Sequence, residues 1–428
     1  MKIAMFTNTY LPHVGGVAKS VKTLEDEYRR RGHEVRVIAP EFDDSEDSPE
    51  VLRVPAIQNF NGSDFSVKLP FPVFVRQYID DFEPDLIHSH HPFLLGDSAL
   101  RESWKLEIPI VFTHHTLYED YTHYVPLDSP ALKRAAVQLA TEYCNLCDQV
   151  IAPSESIAKL LKRRGVTTPI EAIPTGIDAA GFASGDGARF RKQADIAPDA
   201  RVIGHVGRLA KEKNLPYLSK AVGARLREDP QAVFLVVGTG SAHDEMLEIL
   251  RQSADERQIR AVGSKAGDDL FDAYAAMDWF VFASQTETQG LVLAEAMAAG
   301  KPVVALDGPG VREIVENEEN GLLLDGGADV AGFSQALRRI MEDRDFSRRC
   351  ADGARATAAD FSRERCAGRM LDCYERLIAD HPRDPDADLM PWDRLLLGLE
   401  IEWDLFSAKM SAASAAMAET PTSNERLD

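Results

Sequence analysis

Nowhere in the 428 residues do the roughly 18 consecutive apolar side chains of a membrane span occur, so no bilayer-crossing helix is expected. The chain opens directly on a strand-like run, KIAMF, and a cytosolic location is expected. Cysteine is scarce. Five residues, an odd number in a long chain, fit reduced thiols better than a disulfide framework. Cys144 and Cys147 form a Cys-x-x-Cys, but no second pair or histidine cluster stands at zinc-finger spacing, and they read as two small apolar residues on a helix. Positive charge is also in deficit, with 48 Lys and Arg against 69 Asp and Glu and a net charge of −21. A surface of that sign repels polyanions, which excludes nucleic acid as a partner. The dinucleotide fingerprint G-x-G-x-x-G is missing too. Asp384, Asp386 and Asp388 alternate in a proline-rich stretch, but ligands from one loop rarely suffice, and no metal or cofactor is expected.

What remains is an ordinary globular composition, 44% hydrophobic and 27% charged, in a chain long enough for two or three domains. Strand-like runs alternate with helical patterns through the first half: KIAMFT (2–7), EVRVIA (34–39), DLIHSH (85–90), IPIVFTH (108–114) and DQVIAP (148–153). That order predicts a doubly wound parallel sheet. Near Ile173 the chain turns dense in glycine and alanine, which suggests a linker. The alternation then restarts with RVIGHVG (201–207), AVFLVVG (232–238) and QIRAVG (258–263), so a second Rossmann-like domain is expected. Two such domains joined by a hinge imply a ligand cleft where their strand ends face each other.

The densest stretch is DWFVFASQTETQGLVLAEAMAAGKP, residues 278–302. Its spacing predicts a buried strand, a polar loop and a helix stopped by Gly300 and Pro302. Loops at the carboxyl ends of parallel strands bind anions on the amides of the following helix, so Gln289, Gly290 and Leu291 form a candidate phosphate cradle. Glu287 and Glu295 bracket that cradle, eight residues apart, with Glu295 about 9 Å along the helix axis if the helix begins near Gln289. Paired glycosidase carboxylates sit about 5 Å apart, a separation this spacing does not guarantee. The preferred reading is that each carboxylate takes hydroxyls at one end of a ligand with a diphosphate between them, a nucleotide sugar. The plain alternative is a surface helix with two solvated acids.

Other stretches fit the same ligand. Gly15 and Gly16 enter a helix after the first strand, where such sheets hold phosphate. GRLAKEKNL places Arg208, Lys211 and Lys213 behind a strand end, suited to gripping phosphate oxygens. IVFTHHTLYEDYTHYVP carries His114, His115 and His123 among tyrosines, and one histidine past a strand end is placed to donate to a sugar hydroxyl or a departing phosphate. Towards the end, residues 361–379 read as a helix, and Trp392 to Met410 repeat apolar side chains at helical spacing.

Together, the GG loop at Gly15 and Gly16, the GRLxxEKN segment at 208–214 and Glu-x7-Glu at Glu287 and Glu295 resemble the retaining GT-B glycosyltransferases of family GT4, over residues 1 to about 379. The resemblance implies two Rossmann-like doubly wound domains facing a central cleft, with a C-terminal helix crossing back to the first. The expected divisions are an acceptor-side domain at 1–178, a linker at 179–200, a nucleotide-sugar domain at 201–360, crossing helices at 361–410 and a tail at 411–428. By resemblance, Arg208 and Lys213 hold the donor diphosphate, Glu287 orients the transferred sugar and Glu295 binds the ribose. The amides of Thr288, Gln289, Gly290 and Leu291 assist at the sugar and phosphates, and Gly16 approaches the phosphates from the other domain. His115 matches the histidine that contacts the sugar near the reacting carbon, with His114 its rival by one register.

Gln289 stands where the family often has phenylalanine, and with HTLYEDYTHY it looks like the branch that glucosylates diacylglycerol. Tyr118, Glu119 and Tyr121 are then expected on the acceptor side, and the activity is a hexosyl transfer from a nucleotide sugar, UDP-linked, to a lipid. A peripheral enzyme on the inner face of the membrane needs a landing surface, for which Arg29 to Arg31, Lys159 to Arg164 and the LPFPVFV run at 69–75 are candidates. Two other readings are a GT4 enzyme with a soluble or carrier-linked acceptor and a sugar-nucleotide binder without activity.

Overall fold

The computed structural model describes residues 1–12, 15–42, 48–57, 67–68, 72–119, 129–381, 405, 407 and 409–411. Two units divide them: Met1–Pro174 with the chain from Ala367, and Thr175–Cys366.

The first unit contains β1 (Lys2–Phe6), β2 (Glu34–Pro40), β3 (Val51–Val54), a short antiparallel pair β4 (Ala56–Ile57) and β5 (Val67–Lys68), then β6 (Leu86–Ser89), β7 (Ile110–Thr113), β8 (Gln149–Ala152) and β9 (Ile170–Ala172). Seven of them make one parallel sheet in the order β3-β2-β1-β6-β7-β8-β9. Its inner strands are buried on both faces, as crossover helices require, and therefore read as continuous apolar runs without alternation. Ile3, Met5, Val35 and Val37 meet Leu24 and Tyr28 of the helix Gly16–Arg30 in one core.

The second unit holds β10 (Arg201–Val206), β11 (Ala232–Val237), β12 (Ile259–Ala261), β13 (Trp279–Phe282), β14 (Val303–Leu306) and β15 (Gly321–Leu324), parallel in the order β12-β11-β10-β13-β14-β15. Val202, Phe280 and Phe282 enter the core on one face, and Ile203 and Val281 the core on the other. In each unit the winding reverses once, between β1 and β6 and between β10 and β13. The loops that leave those four strands flank the two switch points, where open parallel sheets bind ligands.

The stretch at 179–200, expected as a linker, is folded. Helices Ala179–Ala183 and Gly187–Gln193 belong to the second unit and bury Phe182 and Phe190 in its core. Its glycines serve contact: a Cβ on Gly185 would lie 2.3 Å from the Phe271 carbonyl oxygen, and one on Gly187 2.5 Å from that of Ala275. The closing helix, Arg363–Asp380, starts in the second unit and from Ala367 belongs to the first. There Tyr374 is fully buried, its ring edge-on to Tyr28. Most of the apolar repeat from Trp392, the three aspartates at 384, 386 and 388, and the tail from 412 lie outside the described residues.

Candidate active site

In the second unit the switch point gathers most of the expected donor residues. The strand β10 ends at Val206, and Lys211–Lys213 form one tight turn before Asn214, whose left-handed backbone (φ 53°) turns the chain into the helix Leu215–Glu228. Asn214 Nδ2 donates to the Ala283 carbonyl (3.3 Å) and Thr286 Oγ1 to the Glu212 carbonyl (3.3 Å), so the loops after β10 and β13 are tied together. Across that tie Lys213 Nζ meets Glu287 Oε1 at 2.5 Å, each side chain more than four-fifths buried. Arg208 lies nearer solvent and pairs with Glu212 at 2.6 Å. Both cations are thus held by carboxylates of their own unit, and an incoming diphosphate would compete for them.

The helix after β13 runs from Leu291 to Ala298, two residues later than expected, because Gly290 caps it in the left-handed region (φ 65°, ψ 41°). A glycine N-cap brings no side chain over the first turn, where the Leu293 amide donates back to the Gly290 carbonyl (2.9 Å). The amides ahead of it have no acceptor inside the helix and suit an anion. Gly310, also left-handed (φ 69°), lies against this cap: a Cβ there would stand 2.7 Å from the Gln289 nitrogen and about as close to its Cα. Gly310→Ala combines left-handed strain with overpacking against backbone and should destabilise the second unit by about 3 kcal/mol, lowering its melting temperature by roughly 6–12 °C. Calorimetry checks this; a shift under about 2 °C would show that the loop gives way.

Two of the expected donor residues have further partners inside the second unit. The Gln289 side chain, buried, accepts from the Thr175 amide (3.0 Å) and donates to the Thr175 carbonyl (2.8 Å). It clamps the chain's entry into the second unit, so only its backbone remains for a ligand. Glu295 is 4% exposed and accepts from Tyr274 Oη at 2.8 Å, which occupies one carboxylate oxygen. Thr288 and Leu291 are half-buried on the loop and the first turn. His205, on β10, is a residue the sequence reading passed over. It is buried, its Nδ1 meets the Val281 carbonyl (3.1 Å), and desolvation lowers its pKa to about 4.

In the first unit Gly16 opens the helix Gly16–Arg30, again with a glycine N-cap and no side-chain cap, and a Cβ on it would meet nothing within 4 Å. The two adjacent histidines after β7 point apart, as extended neighbours do. His114 turns inward, 1% exposed, against Phe112 and Tyr118, while His115 stays partly exposed. Tyr118 is buried between His114 and Phe93, and burial raises its pKa well above the ordinary value. Glu119 forms an ion pair with Arg164. Tyr121 lies outside the described residues.

The sequence reading took DLIHSH as a strand and missed what its histidines do. His88, His90 and His91 follow one another at the β6 end of the switch point, all buried. His88 bridges Thr113 Oγ1 (2.7 Å) and Tyr374 Oη (2.5 Å), and His90 Nδ1 lies 2.9 Å from His115 Nε2. Desolvation depresses all of them, to about 3 for His88 and His91, to about 4 for His114, and well below the usual imidazole range for His90 and His115. They are neutral rings at physiological pH.

The proposed landing surface shrinks. Arg29 pairs with Glu25 and Glu50, and Arg30 and Arg31 share the buried Glu27, so that cluster is countered by two carboxylates of its own helix and by Glu50. Arg164 is taken by Glu119, and Lys159 and Lys162 are exposed on the helix Glu155–Arg163. Of 69–75, Val75 is buried and 69–71 lie outside the described residues. No described helix is long and apolar enough to cross a membrane.

Residues 14–180 match the model of Glycosyltransferase Family 4, and residues 186–357 that of Glycosyl transferases group 1. The chain is 29% identical to the alpha-monoglucosyldiacylglycerol synthase of Streptococcus pneumoniae over 78% of its own length and 77% of the relative's. It is 30% identical to that of Acholeplasma laidlawii (80% and 89%) and 32% identical to the GDP-mannose-dependent alpha-mannosyltransferase of Mycolicibacterium smegmatis (79% and 87%). Among solved structures, Anabaena Alr3699/HepE in complex with UDP superposes with a TM-score of 0.71 at 22% identity, covering 88% of this chain and all of that one. A sucrose-phosphate synthase from Thermosynechococcus elongatus does so with the same score and identity, covering 89% and 99%. Two parallel Rossmann-like sheets, two family models that take up most of both units and relatives of this similarity place the chain in one family: it belongs to glycosyltransferase family 4 and is a glycosyltransferase of the GT-B fold.

Proposed function

We propose that the protein moves glucose from UDP-glucose to a lipid acceptor such as diacylglycerol at a membrane surface. The observation that carries the donor half is the pairing of Lys213 with Glu287 beside the helix that Gly290 caps without a side chain. In this reading Arg208 and Lys213 hold the diphosphate, Glu287 orients the sugar, and the backbone from Thr288 to Leu291 supplies amides. Glu295 takes the ribose, Gly16 leaves the phosphates room, and His115 serves the sugar. Glu119, with Tyr118 behind it, is assigned to the acceptor side. No metal or cofactor enters, since the nucleotide sugar is a substrate. As the sugar becomes oxocarbenium-like, negative charge grows on the leaving diphosphate, where the cations and amides are more useful than in the ground state.

The lipid half is supported by the two glucosyldiacylglycerol synthases among the relatives. A second reading, mannosyl transfer from GDP-mannose, is supported by the 32% identity to a GDP-mannose-dependent mannosyltransferase. A panel of radioactive UDP- and GDP-sugars with diacylglycerol vesicles separates them. Label from UDP-glucose in the lipid extract is the expected result; label from GDP-mannose alone favours the second reading, and donor binding without transfer rejects both. With Lys159 and Lys162 on its exposed basic edge, the protein should cosediment with anionic vesicles at low salt, by about 1 kcal/mol of binding per cation. No sedimentation at low salt would remove the peripheral membrane location.

A further inference from the structure

We propose that His90 is a positioning residue that holds His115 as the tautomer protonated on Nδ1, so that His115 meets its ligand as a hydrogen-bond donor. The inference deepens the reading in which His115 serves the transferred sugar, and rests on it.

The argument begins with proton counting. His90 and His115 are stacked, with ring centroids 5.2 Å apart and planes 26° apart, and His90 Nδ1 lies 2.9 Å from His115 Nε2. Both rings are neutral, because burial penalises the charged form and the neighbouring histidines oppose a second charge. A neutral imidazole has one N–H and one lone pair, so one ring of the pair must donate. His90 Nε2 is buried and has no partner among the described residues. Were the proton on that nitrogen, a buried N–H would go unsatisfied, which is rarer in folded proteins than an unsatisfied acceptor. The arrangement with His90 Nδ1–H donating to His115 Nε2 avoids it. His115 then carries its own proton on Nδ1, since the bond made by one ring nitrogen sets the state of the other.

The surroundings hold His90 in place for this. Asn8, leaving β1, donates its amide to His91 Nδ1 (3.0 Å) and its Nδ2 to the Phe93 carbonyl (3.0 Å), and accepts from the Leu95 amide (3.1 Å). Leu94 is held at φ 59°, ψ −104°, a conformation leucine adopts only where surrounding contacts over-determine it. Behind His90, the His88 ring lies 4.0 Å away between centroids and is itself fixed at both nitrogens by Thr113 and Tyr374. His90 is therefore clamped on two sides and presents one N–H to His115. The consequence is chemical. Its Nδ1–H can donate to a sugar hydroxyl or a phosphate oxygen, and that nitrogen cannot accept a proton as a general base.

Nitrogen-15 imidazole NMR of the full-length protein tests the tautomer without substrate. The expected spectrum shows His115 protonated on Nδ1 in the wild type and shifted to the other tautomer or to a mixture in His90→Phe, which keeps the ring and loses the donor. His115 protonated on Nε2 in the wild type would overturn the proposal. With UDP-glucose and diacylglycerol vesicles, His90→Phe should lower kcat about tenfold to a hundredfold, the usual range for an orienting group, with KM for the donor little changed. His90→Asn, whose Nδ2 stands near the position of the lost N–H, should recover most of that. Equal loss in both variants with a lowered melting temperature would mark His90 as merely structural and overturn the proposal. A wild-type rate in His115→Ala would instead sink the reading of His115 itself, and the spectrum would still decide the tautomer.

Discussion

Lys213→Ala should lower kcat at least about a hundredfold, and Arg208→Ala by a similar or somewhat smaller factor, with the melting temperature of each variant close to wild type. One donor aimed at the charge that grows on a leaving group contributes roughly 3 kcal/mol, which is that factor. The two cations differ in what their loss leaves behind. Arg208 is exposed and its partner Glu212 lies partly in water, so its removal deletes the proposed phosphate contact without leaving a buried charge behind. Lys213 is mostly buried against Glu287, and its removal leaves a carboxylate of 17% exposure without its cation beside the proposed diphosphate. Repulsion then adds to the missing contact. Lys213→Ala combined with Glu287→Gln separates these contributions. If Lys213 only neutralised Glu287, the double variant would bind UDP as well as Glu287→Gln alone does; if it grips phosphate, the double variant binds UDP more weakly than Glu287→Gln. Near-normal kcat in both single variants would remove the phosphate assignment.

How far this site could be read from the chain depends on whether each interaction is local. Strand, loop and helix at 278–302 follow from periodicity, and the structure finds β13 and the helix Leu291–Ala298 there. The start of that helix moved because Gly290 adopts a left-handed cap that Gly310 fits against, a contact no pattern of spacing announces. Gln289 was expected to offer its backbone to a ligand, and nothing in the pattern announced that its side chain reaches a residue 114 positions away. The glycines of 179–200 suggested slack chain, but glycine serves tight packing as well as freedom, and only the position of Phe271 and Ala275 tells the two apart. His88, His90 and His91 were hidden for a similar reason. In a buried parallel strand they look like filling, and their meaning comes from Thr113, His115 and Tyr374, brought in by other strands and by the last helix.

Those same histidines make the first unit acid-sensitive. His88, His90, His91 and His114 are each at least 95% buried, with pKa values at or below about 4 or well under the usual range. The unfolded chain titrates them near 6.5, so below that pH the unfolded state binds protons that the native state refuses. Stability from this source is fully present above about pH 6.5 and falls as pH drops through 6.5 towards the native values of about 3 to 4. Glu27 acts in the same direction: its hydrogen bonds to Arg30 and Arg31 lower its pKa, and protonation would forfeit them. Between pH 7 and 5.5 each buried histidine costs a little over 1 kcal/mol, up to about 5 kcal/mol for the four. Among the described residues the second unit has one comparable group, His205, and should lose only about 1 kcal/mol over the same range. Hydrogen exchange, corrected for its intrinsic pH dependence, measures both units in one sample. Protection in β6 and β7 should drop more than about a hundredfold relative to β10 and β13 over that range, since each 1.4 kcal/mol is tenfold. Equal losses in the two units would mean that the histidines of the first are protonated in the native state, and the neutral pair on which the His115 tautomer depends would go with them.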